Sequence, residues 1–444
     1  MIHQSFYWAS LLLILAMSGC SSYRATALHP ASSELLEAAE AAAASPSPVP
    51  RSEPEGELTL PHALALAFQK NPGLKAALLE IGAAEARALQ AGLPPNPQIA
   101  IEMENLAGSG ALSGFDGTES TIVLTQALLL GGKLRKQRTQ AALEGDLAAW
   151  DAAQKRLDLY SAVHNAFNRL LIAQEDIAQK HELLQLSDTL LATTTRRVQA
   201  GKVSPAETSR AQVMVAQNRI ALERARRSLE AARRQLAATW GSREARFSRV
   251  NGQFGELFDL PPEDSLRMLL PANPDMARFD SAIQQRKAGI ALEDARALPD
   301  LSLSAGLRHL NESGDLALVF GLSVPLPLAD RNQGGRAEAR QLLSKTEQEQ
   351  EAVRIAMETS LAEAYGWYRA VKTEVQALQA QIIPQAEAAY RKINQGYLQG
   401  RFDFLDVLDA QRTLYEAKDR HLHALREFHE TVVRIERLIA RRIH

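Results

Sequence analysis

The chain has 444 residues, 46% of them hydrophobic but only 5% aromatic, with a formal net charge of −2. That length fits two or three ordinary domains or one large repeated one, and a composition rich in Ala, Leu, Gln, Arg and Glu suits long helices better than a packed β-sandwich. The near-neutral charge leaves no global electrostatic case for nucleic acid, and the one cysteine excludes an internal disulfide.

Residues 6–19, FYWASLLLILAMSG, form an apolar run too short for a membrane span, the pattern of a signal-peptide core. The MSGCSS that follows resembles a bacterial lipoprotein signal, which marks Cys20 for lipidation at the end of a signal peptide over 1–20. Ser21, where Asp is absent, resembles lipoproteins sent on to the outer membrane. Residues 21–57 include AAAASPSPVPRSEPEGE and read as a flexible tether. Beyond residue 20 no run of about 18 apolar residues offers a transmembrane helix.

Two halves of similar layout follow, 58–241 and 266–440, with a linker over 242–265. Asn71-Pro72 and Asn273-Pro274 open them, and a helical stretch follows each. Leu93-Pro94 leads into PQIAIEMENL, a Gly/Ser-rich loop and ESTIVLTQAL; Leu298-Pro299 leads into DLSLSAGLRHL, an NESG turn and DLALVFGLSVPLPL. GGK at 131–133 and GGR at 334–336 then start long helices. Leu301, Leu303, Ala305 and Leu307 alternate with Ser302, Ser304 and Arg308, as Ile99, Ile101 and Met103 do with Ala100, Glu102 and Glu104. Such runs of about ten residues predict strands long enough to cross a bilayer when tilted.

Gly145 and Gly201 enclose no other glycine, and 98–204 hold no proline. A helix of about 55 residues there would reach roughly 80 Å and needs lateral, coiled-coil-like packing. A second helical region spans about 336–396, with a break expected at Pro384. Near the ends of these helices VQAGKVSPAETSRAQ (198–212) and YLQGRFDFLDVLDAQ (397–411) align Gly201 with Gly400 and Glu207 with Asp406. Four membrane-length strands cannot close alone, because single-chain barrels start at about eight and an open edge in hydrocarbon costs several kcal/mol per unpaired group. Two copies would give eight strands and three would give twelve; helices leaving one end would continue the barrel as a tube.

From about 58 to 440 this layout resembles the TolC-type outer membrane factors of tripartite efflux systems. GLPPNPQIAIEMEN (92–105) and QALLLGGKLRKQR (126–138) look more narrowly like the Czc-type heavy-metal cation efflux subgroup. The resemblance implies an α+β membrane protein: a homotrimer sharing a twelve-stranded outer membrane β-barrel, four strands per protomer, continued by an α-helical tunnel into the periplasm. It implies as partners a periplasmic adaptor, an inner membrane RND pump and outer membrane lipid. By the same match the two glycine-marked tips, Gly201 and Gly400, contact the adaptor. The match also implies that Asp406 and Asp409, three apart so that one helix face can present both, would form a cation-favouring ring at the pore constriction. The resemblance also implies that Tyr397 and Glu207 hold the tip closed. The basic residue that assists there in the family is replaced by Phe402, with Arg401 one position early. Helix-start acids favouring the dipole are the plain alternative for Asp406 and Asp409.

His421 and His423, two apart, would point to different helix faces, and His423, Glu427 and Glu430 read as a surface face; no metal site or cofactor is expected. The Gly-Gly turns lack the GxxxxGK frame of a phosphate loop, and no nucleophile–base signature suggests a catalytic residue. The expected function is a passive exit duct for divalent heavy-metal cations. The alternatives are a duct for drugs or a type I secreted protein, and a periplasmic coiled-coil lipoprotein without a pore.

Overall fold

The computed structural model describes residues 53–443 except 113 and 253, so Cys20 and the signal and tether over 1–52 lie outside the described residues. In chain order the elements are β1 (Gly56–Thr59), α1 (Leu60–Lys70), α2 (Pro72–Ala91), β2 (Gln98–Glu104), β3 (Glu119–Leu128), α3 (Lys133–Gln199) and α4 (Pro205–Ala238). After β4 (Phe247–Asn251) come α5 (Glu263–Arg267), α6 (Pro274–Arg296), β5 (Leu301–Leu310), β6 (Asp315–Ser323), α7 (Gln333–Ala377), α8 (Ile383–Leu398) and α9 (Phe404–Ile439).

The two Asn-Pro marks do the same work twice. Asn71 caps α2 by accepting from the Leu74 N–H at 2.8 Å, and Asn273 caps α6 by accepting from the Asp275 N–H at 2.8 Å. Proline sits at the first helical position of each, where no N–H is needed. The amide nitrogens turn the other way. Asn71 Nδ2 donates to Thr239 O at the end of α4, and Asn273 Nδ2 donates to Arg437 O and Leu438 O at the end of α9, each at 2.8 Å. One side chain thus starts the first long helix of each half and closes its last.

α3 has 67 residues, about 100 Å at 1.5 Å per residue. It is longer than the glycine spacing predicts because it runs through Gly145, which lies against Ala84 of α2, and begins directly after Gly131 and Gly132, both at φ +70°. In the second half Pro384 stands where a helix restarts, as expected, but the interruption before it is a π-helical turn rather than a loop. A π-helical turn over Leu378–Ile382 carries the helix axis from α7 into α8, and Pro384 falls in the first turn of α8, where its missing N–H costs nothing.

β2, β3, β5 and β6 form one antiparallel sheet in that order, so β3 of the first half pairs with β5 of the second. β2 and β6 are its edges, and neither outer edge is paired among the described residues. One face is apolar and bare: Phe320 is 75% exposed, and Ile99, Ile101, Ile122, Leu307 and Leu318 stand beside it. The opposite face is polar. There Arg308 donates to Glu119 at 2.8 Å and to Thr121 at 3.0 Å and pairs with Glu104 at 3.1 Å, tying β2, β3 and β5 together.

The main core lies midway along the helices, where α3, α7 and α9 pack with Phe167, Leu361, Tyr368 and Phe428. The segment between the halves is part of it. β4 pairs in parallel with β1 at the end of the expected tether, and Leu58, Phe247 and Val250 are buried there. The free edge of β4 is met by one side chain: Gln174 of α3 donates to Val250 O at 3.1 Å and accepts from Val250 N at 2.9 Å. An amide matches a strand's donor–acceptor pair, so Gln174 blunts that edge. Tyr368 holds the following strap, donating to Phe258 O at 2.8 Å and accepting from Leu260 N at 3.1 Å. No described helix is long and apolar enough to cross a membrane.

Candidate tunnel tip and barrel wall

The hairpins α3–α4 and α8–α9 end in turns of one design. At the first, Lys202 N–H donates to Arg197 O at 2.9 Å with Gly201 at φ +66°; at the second, Arg401 N–H donates to Gly396 O at 2.8 Å with Gly400 at φ +77°. This glycine-terminated cap satisfies carbonyls that a helix end leaves free. Each chain then restarts from a cap: Ser204 accepts from Ala206 N–H at 3.3 Å with Pro205 at the first position, and Asp403 forms a reciprocal capping box with Asp406. Gly396 lacks a side chain for a steric reason, since a Cβ there would lie 2.3 Å from the Phe402 ring. Phe402 folds back over α8, with its ring half-exposed.

Tyr397 and Glu207 meet. The Tyr397 ring is buried, and its hydroxyl donates to Glu207 Oε2 at 3.2 Å while lying 3.2 Å from Thr194 Oγ1. Burial, and after it the nearby Glu207 charge, hold that phenol above its ordinary pKa, so it stays a donor. Thr194 and Arg197 are the partners that motif spacing did not flag. The Arg197 guanidinium lies 4.2 Å from the centroid of the Tyr397 ring and donates to the Tyr397 carbonyl. The only signal for it was the repeat alignment, which sets Arg197, four before Gly201, against Gly396, four before Gly400. Leu190, Ala211, Tyr390, Phe404, Val407 and Leu414 form a small separate core behind these contacts.

Asp406 and Asp409 are exposed on the first turns of α9, and each already has local work. Asp406 Oδ2 accepts from the Asp403 N–H at 2.9 Å, and Asp409 pairs with Arg412 at 2.8 Å. The helix-start role expected as the plain alternative is therefore present at Asp406, and it leaves the carboxylate on the solvent side. Of the histidines, His429 stacks on Phe254 at 4.8 Å and lies 2.9 Å from the Phe254 carbonyl, a packing role. No group of three or more metal-binding side chains occurs among the described residues.

The chain thus combines an open four-stranded sheet, apolar on one face and polar on the other, with long helical hairpins leaving one end. Residues 63–242 and 266–441 match the sequence profile of the outer membrane efflux proteins. The chain is 32% identical to the cobalt-zinc-cadmium resistance protein CzcC of Cupriavidus metallidurans over 394 residues, 89% of this chain and 93% of that protein. It is 23% identical to the pyoverdine export outer membrane protein OpmQ of Pseudomonas putida, over 80% of each chain. Its fold superposes on a crystal structure of CusC with a TM-score of 0.72 at 17% identity, covering 88% of this chain and 95% of that one. The chain belongs to the outer membrane efflux protein family.

Proposed function

We propose that this protein is the outer membrane duct of a tripartite efflux system and passes divalent heavy-metal cations. The observation that carries the reading is the two-faced sheet at the end of helices about 100 Å long. A ten-residue strand such as β3 or β5, at about 3.3 Å per residue and tilted by roughly 40°, spans about 25 Å, the height of an outer membrane apolar band. Unpaired edges at β2 and β6 call for neighbours in hydrocarbon, and three copies would close twelve strands. The cargo rests on the relative named for cobalt, zinc and cadmium resistance.

Cargo leaves passively. The tip, closed by Tyr397 with Glu207, opens when an adaptor docks on the turns at Gly201 and Gly400 and an inner membrane RND pump drives the flux. Asp406 and Asp409, repeated by symmetry, would line the constriction with carboxylates, which favour cations over anions. Lipidation at Cys20 would anchor each chain to the outer membrane, with the tunnel in the periplasm. The family is a transport duct rather than an enzyme, and the duct needs no cofactor of its own. The pyoverdine relative supports a second reading, in which the same conduit carries a larger organic cargo.

Growth of a deletion strain across zinc, cobalt, cadmium and copper, beside antibiotics and detergents, separates the two. Sensitivity confined to metals, restored by the intact gene and not by an Asp406→Ala/Asp409→Ala variant, is the expected result. Drug sensitivity with normal metal tolerance would remove the cation assignment and keep the conduit.

A further inference from the structure

We propose that Arg197 is the clamp that holds the second hairpin tip on the first. This deepens the reading of the tip as the closed end of the duct and rests on it. Tyr397 stands on the last turn of α8, and Arg197 on the last turn of α3, two hundred residues earlier. One guanidinium holds two parts of that tyrosine. Its central carbon lies over the ring, 4.2 Å from the centroid, and its N–H donates to the main-chain carbonyl. The same carbonyl accepts from Gly400 N–H at 3.0 Å, so the clamp reaches into the turn itself. A Cβ at Gly400 would lie 3.9 Å from the Arg197 guanidinium.

The arrangement is more than a sum of contacts. A cation on the π face makes the phenol a stronger donor, and that phenol donates to Glu207 on α4. The charge of Arg197 also sits at the negative end of the α8 dipole. Arg197, the Tyr397 ring, its hydroxyl and Glu207 thus form a chain from α3 through α8 to α4, closed on both sides by the first hairpin. Moving the second tip outward by a few ångströms breaks every link. The neighbouring Arg196, on the same turn, is exposed and makes no side-chain contact among the described residues that bears on Tyr397. A lysine could supply the charge at position 197 but not the fixed fork of donors that reaches the carbonyl while the cation lies over the ring.

The test is the conductance of the purified full-length protein in planar lipid bilayers, with assembly checked on unheated denaturing gels. Arg197→Ala is expected to raise the open fraction roughly tenfold, the factor that a single charge-assisted contact is worth. Arg197→Lys is expected to stay leaky, and Arg196→Ala to match the wild type. If Arg197→Ala does not assemble, Arg197→Gln carries the same comparison. A closed Arg197→Ala beside a leaky Tyr397→Phe/Glu207→Gln variant would overturn the clamp and keep the tip as the gate. If that double variant is closed as well, the tip reading fails and the clamp with it. Full closure by Arg197→Lys would reduce the role to a point charge and also overturn the clamp.

Discussion

His164 lies on α3 against Tyr160, ring centroids 4.3 Å apart, where the mid-helix core meets the C-terminal segment. Burial first, and then the positive charge of Arg442 and the neighbouring His429, hold its pKa well below the ordinary histidine value. The folded chain therefore keeps this imidazole neutral where the unfolded chain takes up a proton. Above about pH 6.5 the difference vanishes; below it, stability is lost as the unfolded state is favoured, about 1.4 kcal/mol at one pH unit down. His164→Gln should flatten the fall in melting temperature between pH 7.5 and 5.5 by that share, and an identical fall in both proteins would refute the assignment. The sequence offered no hint of this residue, since a histidine's surroundings come from elements far along the chain. Tyr397 and Glu207 were legible through the repeated tip motif, whereas Arg197 was not, because its partner is a ring on another hairpin rather than a residue at helical spacing.

The strands were legible as elements because alternation is local: a period of two places each side chain on a known face whatever the strand pairs with. Their faces carry the prediction for this scale. Phe320→Arg on the bare apolar face should cost about 2–4 kcal/mol near the middle of an apolar band and lower the yield of assembled protein in the membrane. Ser302→Lys on the polar face should assemble normally, and equal loss from both would show that the sheet does not face lipid. The helices were legible in extent but not in detail. Gly145 was read as a boundary, yet packing against α2 outweighs the roughly 1 kcal/mol that glycine costs inside a helix. Pro384 marks the restart of a helix as its residue type predicts, whereas the π turn before it has no local sequence signal. β4 was missed because five residues without a flanking turn motif carry too little pattern.

For the whole molecule, closure is the governing constraint. One chain leaves two sheet edges bare, and copies that pair β6 of one with β2 of the next remove both at once. Sedimentation in detergent should give a protein mass three times that of the mature chain, and a stable monomer would exclude a shared barrel. The sequence by itself determined the two similar halves, the alternating strands, the long helices, the glycine-marked tips and the helix starts at Asn71 and Asn273. All of these are written in residues within a few turns of one another, where backbone sterics and period decide the outcome. Only the tertiary structure decided that β1 pairs with β4, that Gln174 plugs the β4 edge, that Asn273 also closes α9 and that Arg197 covers Tyr397. Each of these joins groups separated by some 75 to 200 residues. Their partners are chosen by which surfaces the long helices bring together, and no local pattern encodes that choice.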